Sequence, residues 1–270
     1  LEADLKILTG RIVPHYFAGF SGGRKALVPG VAGFDTIRAN HRLTLAAKRG
    51  LREGVAPASL ADNPIHLDME EAAALARPDF CLNTVLDANG RLVSAFAGDW
   101  REAFAIGCRE VEKNSHFRVA TPVDALVTSA GGLPHDIDFM QALKAVLNLQ
   151  SIVRPGGSIL WLAECSRGIQ PGFLDWADIV DDDELERTVR SNYALTGHNA
   201  IMLRHLIRKA SVHLYSSLPE ADVRRMGFVP VASPEEGMER ILRGQPEDVR
   251  CAVAPCANIV CASLEPDLAA

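Results

Sequence analysis

The 270-residue sequence is short of the features that direct a chain to a special environment. Aromatic residues make up only 6% of it. No apolar run approaches the ~20 residues of a membrane-spanning helix; stretches such as 158–162 and 252–260 are strand-sized or broken by polar residues and proline. Positive charge is not in excess, with 28 Lys and Arg against 34 Asp and Glu and a formal net charge of −6. The electrostatic footprint of a nucleic-acid binder is therefore missing, and neither nucleic acid nor membrane is expected as a partner. The six cysteines form no C-x-x-C pair, which leaves a zinc ribbon or a thioredoxin-type site unsupported. Cys251, Cys256 and Cys261 recur every five residues, and on a strand that spacing alternates faces and chelates poorly. They read as small buried hydrophobes. A chain of this size needs no disulfide scaffold, so a reducing, cytoplasmic compartment is the expectation. Methionine is missing from position 1. The chain opens at Leu1 and enters a Gly/His/Lys-rich segment almost at once, as the later part of a longer protein would; a signal peptide would have gone with whatever preceded it.

What is present is an ordinary globular composition, 48% hydrophobic and 23% charged, which excludes disordered, collagen-like and low-complexity classes. Residues 6–13 read as a strand, 36–49 as a helix, and 63–76 as a second helix with Asn63 as N-cap and Pro64 at its first position. Two strands, 80–86 and 91–97, flank an Asp-Ala-Asn-Gly turn, and 99–113 is a third helix. From there strands at 123–128, 158–163 and 212–215 alternate with helices at 139–153 and 198–210. A capping box at Ser233–Glu236 opens a further helix. Such alternation predicts an α/β fold of two domains, each a mixed or mostly parallel sheet flanked by helices. The expected division is 1–114, the remainder of an N-terminal cofactor-anchoring domain; 115–245, a C-terminal α/β domain; and 246–270, a tail returning to the first as one more strand.

Chemistry concentrates in residues 14–41, PHYFAGFSGGRKALVPGVAGFDTIRANH. His15, Lys25 and His41 share one connection with Gly19, Gly22 and Gly23. Glycines there permit close backbone approach to a ligand, and glycine-rich turns offer N–H groups to anions. A phosphate-binding P-loop fails on its residues, because Lys25 is followed by Ala26 and no hydroxyl is available for magnesium. The G-x-G-x-x-G dinucleotide fingerprint is absent too. A solvated surface lysine and a satisfied loop histidine are the ordinary fates of Lys25 and His15 taken singly. Their co-location with His41 in a long glycine-rich loop points instead to a binding site.

This segment resembles the nickel-pincer-nucleotide-dependent lactate racemase family, whose PH-x-F-x-G-x-SGGRK…PG…NH signature it matches densely from Ile12 to His41. The resemblance implies that Lys25 is joined covalently, as a thioamide, to the pyridinium-type mononucleotide, with Gly22 and Gly23 beside it. It also implies that His41 ligates the nickel and that His15 is one of two general bases. The similarity continues in residues 131–144, GGLPHDIDFMQALK, where Gln141 would contact the cofactor and Lys144 the substrate carboxylate. These two lie three apart on a predicted helix face. A third stretch carries Ala163-Glu164-Cys165, Gly168, Phe173 and Trp176. The activity implied is that of a 2-hydroxy acid racemase or epimerase, working by proton-coupled hydride transfer, with cofactor-synthesis proteins as partners.

Departures refine the expectation. Met140 and Ala142 stand where lactate-specific members carry Tyr and Ser, so a 2-hydroxy acid other than simple lactate is expected. His198 lines the pocket where others place an aromatic residue, or caps a helix. The Asp-rich, Thr-Arg-Pro-containing segment that holds the cofactor phosphate, and the second catalytic histidine, do not occur ahead of His15; His66 and His116 lie in the wrong context to replace it. Two alternatives follow: a non-catalytic module binding an anion or metal through the Gly-rich loop, and a fragment inactive without its N-terminal segment.

Overall fold

Asn63-Pro64 opens a helix because proline fixes φ where no donor is needed, while the Asn63 side chain accepts from the free Ile65 and His66 amides. Local rules of this kind account for most of the first of two units in the computed structural model, which describes residues 2–245 and 247–265. The first unit comprises residues up to His116 together with Arg190–His198, and the second the remainder.

In the first unit the order is β1 (Ile7–Arg11), β2 (Pro14–His15), β3 (Gly19–Phe20), α1 (Phe34–Arg42), α2 (Pro64–Ala76), β4 (Phe80–Leu86), β5 (Leu92–Gly98) and α3 (Trp100–Ser115). β1 pairs parallel to β4, which pairs antiparallel to β5. The β4–β5 turn forms because one Asp87 carboxylate oxygen accepts from both the Asn89 and Arg91 amides. Ile12, Phe20, Phe104, Cys108 and Val111 make one core cluster, and Leu8, Ala73, Cys81 and Trp100 another. The 36–49 helix is shorter than expected and ends at Arg42. There the Thr44 hydroxyl donates to the His41 carbonyl at 2.7 Å, and the chain folds back so that Arg52 N donates to the Thr44 carbonyl.

The second unit holds β6 (His116–Val119), β7 (Val123–Ser129), α4 (Phe139–Leu149), β8 (Val153–Leu162), α5 (Phe173–Ala177), α6 (Asp182–Ser191), α7 (Gly197–Lys209), β9 (Ala210–Tyr215), α8 (Glu220–Arg225), β10 (Val229–Pro230), α9 (Pro234–Leu242), β11 (Cys251–Ala254) and β12 (Cys261–Leu264), apart from His116 and the ends of α6 and α7 within 190–198, which belong to the first. Its sheet has the order β10-β9-β8-β7-β11 and every pairing is parallel, the arrangement that buries both faces under helices. β8 starts five residues before the expected strand and runs through Pro155-Gly156-Gly157, with a register irregularity opposite Val123–Ala125.

The 246–270 tail departs from expectation. β11 joins the second unit's sheet beside β7, and the chain then turns into β12, which pairs with β6. Asp124 fixes this pairing, its carboxylate accepting from Arg250 N at 2.9 Å. Residue 246 and residues 266–270 lie outside the described residues. Among the described residues no helix is long and apolar enough to cross a membrane.

Candidate active site

The Gly-rich loop of the first unit is built around a buried cation. Arg24 is fully buried, donates to the Phe20 and Ala18 carbonyls at 2.8 Å each and lies 4.5 Å from the Phe104 ring centroid. Guanidinium suits the task because its planar fork serves several acceptors at once. Burial lowers its pKa to about 10, so it stays charged at neutral pH. Gly22 and Gly23, with φ of 83° and 52°, answer to protein packing: a Cβ at Gly23 would stand 2.7 Å from Phe104 Cδ2, and one at Gly22 2.9 Å from Asn83 Oδ1. Their missing side chains make room for Phe104 and Asn83, where the sequence suggested open approach to a ligand. Asn83 also accepts from the Gly23 amide at 2.9 Å.

This frame gathers the three chemical groups of the segment around one phenyl ring. Phe17 lies edge-on to His15 (centroids 4.6 Å apart) and to His41 (5.0 Å). Lys25 Nζ is 5.8 Å from its centroid. Lys25 sits in a single 3-10 turn, Gly23–Ala26, and His41 in the last turn of α1. His15 is in β2, where its Nδ1 accepts from Ala18 N at 3.4 Å. A third imidazole, His198, also meets Phe17 edge-on at 5.0 Å and lies 5.7 Å from His41. Its Nδ1 is 2.8 Å from the Tyr193 hydroxyl. Its buried Nε2 and the Nδ1 of His41 have no hydrogen-bond partner among the described residues.

Buried imidazoles here are held neutral. Burial, then the positive charge of Lys25, lowers His41 to about 4. Burial, then His41, lowers His198 to about 3. His66, in α2, falls to about 3 through burial and then Arg24, although Glu70 is 3.8 Å away. An unfolded-chain histidine titrates near 6.5, so below that pH the unfolded state takes up protons that the native state refuses. Native stability is thus complete above about pH 6.5 and declines as pH falls toward 3–4, by up to about 1.4 kcal/mol per pH unit for each group. Thermal midpoints measured from pH 7 to pH 4 are expected to fall, and His66→Gln to flatten the slope. An unchanged slope in that variant contradicts the assignment.

On the second unit, hydrogen bonds join the two motif stretches. Glu164 N donates to the buried Asp136 carboxylate at 3.1 Å, while Cys165 N donates to the Asp136 carbonyl and Phe139 N to the Gly168 carbonyl. Asp138 caps α4 by accepting from Gln141 N. Lys144 Nζ donates to Gln141 Oε1 at 2.6 Å, and burial holds the Lys144 pKa below its usual value, with Asp138 opposing. Gln141 and Lys144 therefore form one polar pair on the same helix face. Ala142, between them, is fully buried and offers no surface to a ligand.

A family model described as the lactate racemase N-terminal domain matches residues 1–52. Curated lactate racemases from Thermoanaerobacterium thermosaccharolyticum and Lactiplantibacillus plantarum are 41% identical over 177 residues and 37% identical over 185 residues. The lactate racemase apoprotein structure from the first organism superposes with a TM-score of 0.86 at 31% identity, over 97% of this chain and 63% of that one. Over these stretches the chain is similar to lactate racemases. It spans 40% and 42% of the two curated relatives, which themselves align to 65% and 68% of it. A Thermotoga maritima crystal structure, at 15% identity and a TM-score of 0.73 over 98% of this chain, shares the fold.

Within this lactate racemase-like chain, His15, Lys25 and His41 come together on the first unit, and Gln141 and Lys144 on the second. Sequence reading missed Phe17, Arg24 and Tyr193. The only signal for the first two was their place inside the Gly-rich segment, and for Tyr193 its spacing of five from His198. Among the described residues no group of three or more His, Cys, Asp or Glu is placed to hold a metal ion. A metal at His41 would take most of its donors from elsewhere.

Proposed function

We propose that the chain is part of a racemase or epimerase of 2-hydroxy acids that works on a nickel-pincer nucleotide tethered to Lys25. The observation that carries the reading is the convergence of Lys25, His15 and His41 on the Phe17 ring. His41 fits a nickel ligand because burial keeps it a neutral imidazole, the form that coordinates. The pincer nucleotide would supply the other donors to the metal that His41 would ligate. When bound, that cofactor supplies the acceptor and donor of hydride; the protein supplies orientation and proton transfer.

His15 takes the proton from the substrate hydroxyl on one face or returns it there, and the second of the two general bases that the resemblance implies would serve the opposite face. Lys144, steadied by Gln141, pairs with the carboxylate in a charge-assisted contact. Lys25 loses its charge on becoming a thioamide, which removes the cation that now depresses His41. Cofactor-synthesis proteins are the partners this chemistry requires, and a cytoplasmic setting is part of the proposal. Met140, where lactate-specific members carry a hydroxyl, favours a substrate other than simple lactate. In a panel of 2-hydroxy acids, one with a larger or more apolar side chain is expected to turn over faster; a clear preference for lactate refutes that part.

Intact-mass analysis of full-length protein made alongside the cofactor-synthesis proteins tests the core of the reading. A covalent adduct is expected, and Lys25→Ala should lack it. An unmodified wild-type protein would leave a non-catalytic binding module as the better description.

A further inference from the structure

Beside α1 the first unit holds a cavity of about 610 Å³. Four arginines line it, Arg38, Arg42, Arg52 and Arg190, against a single acid, Asp35, with Tyr193 in the wall. Three of the guanidiniums are held in place by main-chain carbonyls. Arg42 Nη2 donates to the Arg190 carbonyl at 3.0 Å, Arg52 Nε to the Leu45 carbonyl at 3.2 Å, and Arg190 to the carbonyls of Gly50, at 3.0 Å, and Ala46. Neither Arg42 nor Arg52 pairs with a carboxylate among the described residues. Asp35 reaches Arg38 alone, at 3.1 Å, and its side chain is 88% exposed.

Each guanidinium carries five N–H donors, so the single carbonyl contacts of Arg42 and Arg52 fix these two side chains without exhausting them. Cavities lined by one sign of charge concentrate the opposite charge, and arginine forks match the oxyanions of phosphate. The turn after α1 makes this arrangement possible: by folding back at Thr44 it brings Arg52 to the same cavity as Arg38 and Arg42. The arginines come from three separate segments of the chain, 38–42, 52 and 190, so their donors approach the cavity from more than one side. A chain of phosphates suits such an arrangement.

We infer that this cavity is a binding site for a small molecule carrying two or more linked phosphates. The cavity adjoins the group around Phe17 through Tyr193, which bonds His198, but its arginines have no part in the racemase reading. The test is calorimetric titration of inorganic tripolyphosphate into the full chain at physiological ionic strength. One saturable site is expected. The double variant Arg38→Ala/Arg42→Ala should weaken binding by about tenfold or more, the worth of one charge-assisted contact. Asp35→Asn removes the competing acid and should tighten binding about two- to fivefold, the range of an exposed ion pair. If the double variant fails to fold, as judged by its thermal midpoint, Arg38→Ala and Asp35→Asn decide. No saturable binding, or affinity unchanged in these variants, overturns the proposal.

Discussion

Full-length protein carrying His15→Ala is expected to lose isomerisation activity by about 10²–10⁴-fold, the usual contribution of a positioned general acid–base, while keeping its covalent adduct and its nickel. The expectation rests on where His15 is held. β2 and β3 pair Pro14 with Phe20 and His15 with Gly19, so the imidazole is carried by backbone hydrogen bonding and not by a free loop. Tyr16 stacks on it at 4.9 Å and Phe17 meets it edge-on, which fixes the ring plane. Nδ1 also accepts a long hydrogen bond from Ala18 N. His15→Gln preserves much of the bulk but cannot shuttle a proton and should be as inactive. Racemisation within about tenfold of wild type in either variant would remove His15 from the mechanism, whereas loss of the adduct in both would show that the residue builds the loop instead.

Arg24→Ala should produce the largest loss of stability at any single position of the Gly-rich segment. It removes two short charge-assisted hydrogen bonds, to the Ala18 and Phe20 carbonyls. Each is worth about 1.5–3 kcal/mol, partly offset because no charge need then be buried. It also leaves a void against Phe104. A net cost of about 3 kcal/mol corresponds to a fall in thermal midpoint on the order of 10 °C. Arg24→Lys is not expected to rescue, because a single ammonium cannot span both carbonyls. A shift of less than about 2 °C in Arg24→Ala would show that the loop holds its shape without the cation. Because Ala18 and Phe20 lie between His15 and Lys25, a destabilised loop should also be modified more slowly at Lys25.

Elements whose ends are written in local chemistry were legible from the sequence. Asn63-Pro64 marks the start of α2, the Asp87 turn joins β4 to β5, and Ser233–Glu236 caps α9, with Ser233 Oγ accepting from Glu236 N. Elements that depend on distant partners were not. The end of α1 depends on a fold-back to Arg52, and the place of β11 on an Asp124–Arg250 contact between residues 126 apart. In the site, the chemical groups were visible because His15, Lys25 and His41 lie in one short motif. The ring that joins them was not, because Phe17 carries no chemistry that a spacing rule would notice. Gly22 and Gly23 stand out in the sequence as room for a ligand, yet the neighbours that require them, Asn83 and Phe104, lie about sixty and eighty residues further on.

The first unit is discontinuous in sequence, since Arg190–His198 belongs to it while the chain on either side belongs to the second. It cannot therefore be exchanged between relatives as one contiguous gene segment. A chimera joined at residue 116 would transfer Phe17, Lys25 and His41 but take residues 190–198 from the other parent, replacing the Tyr193–His198 pair and the Arg190 wall of the cavity. Natural recombination among such relatives would face the same constraint, so these nine residues should be inherited together with the first hundred or so rather than with their immediate neighbours.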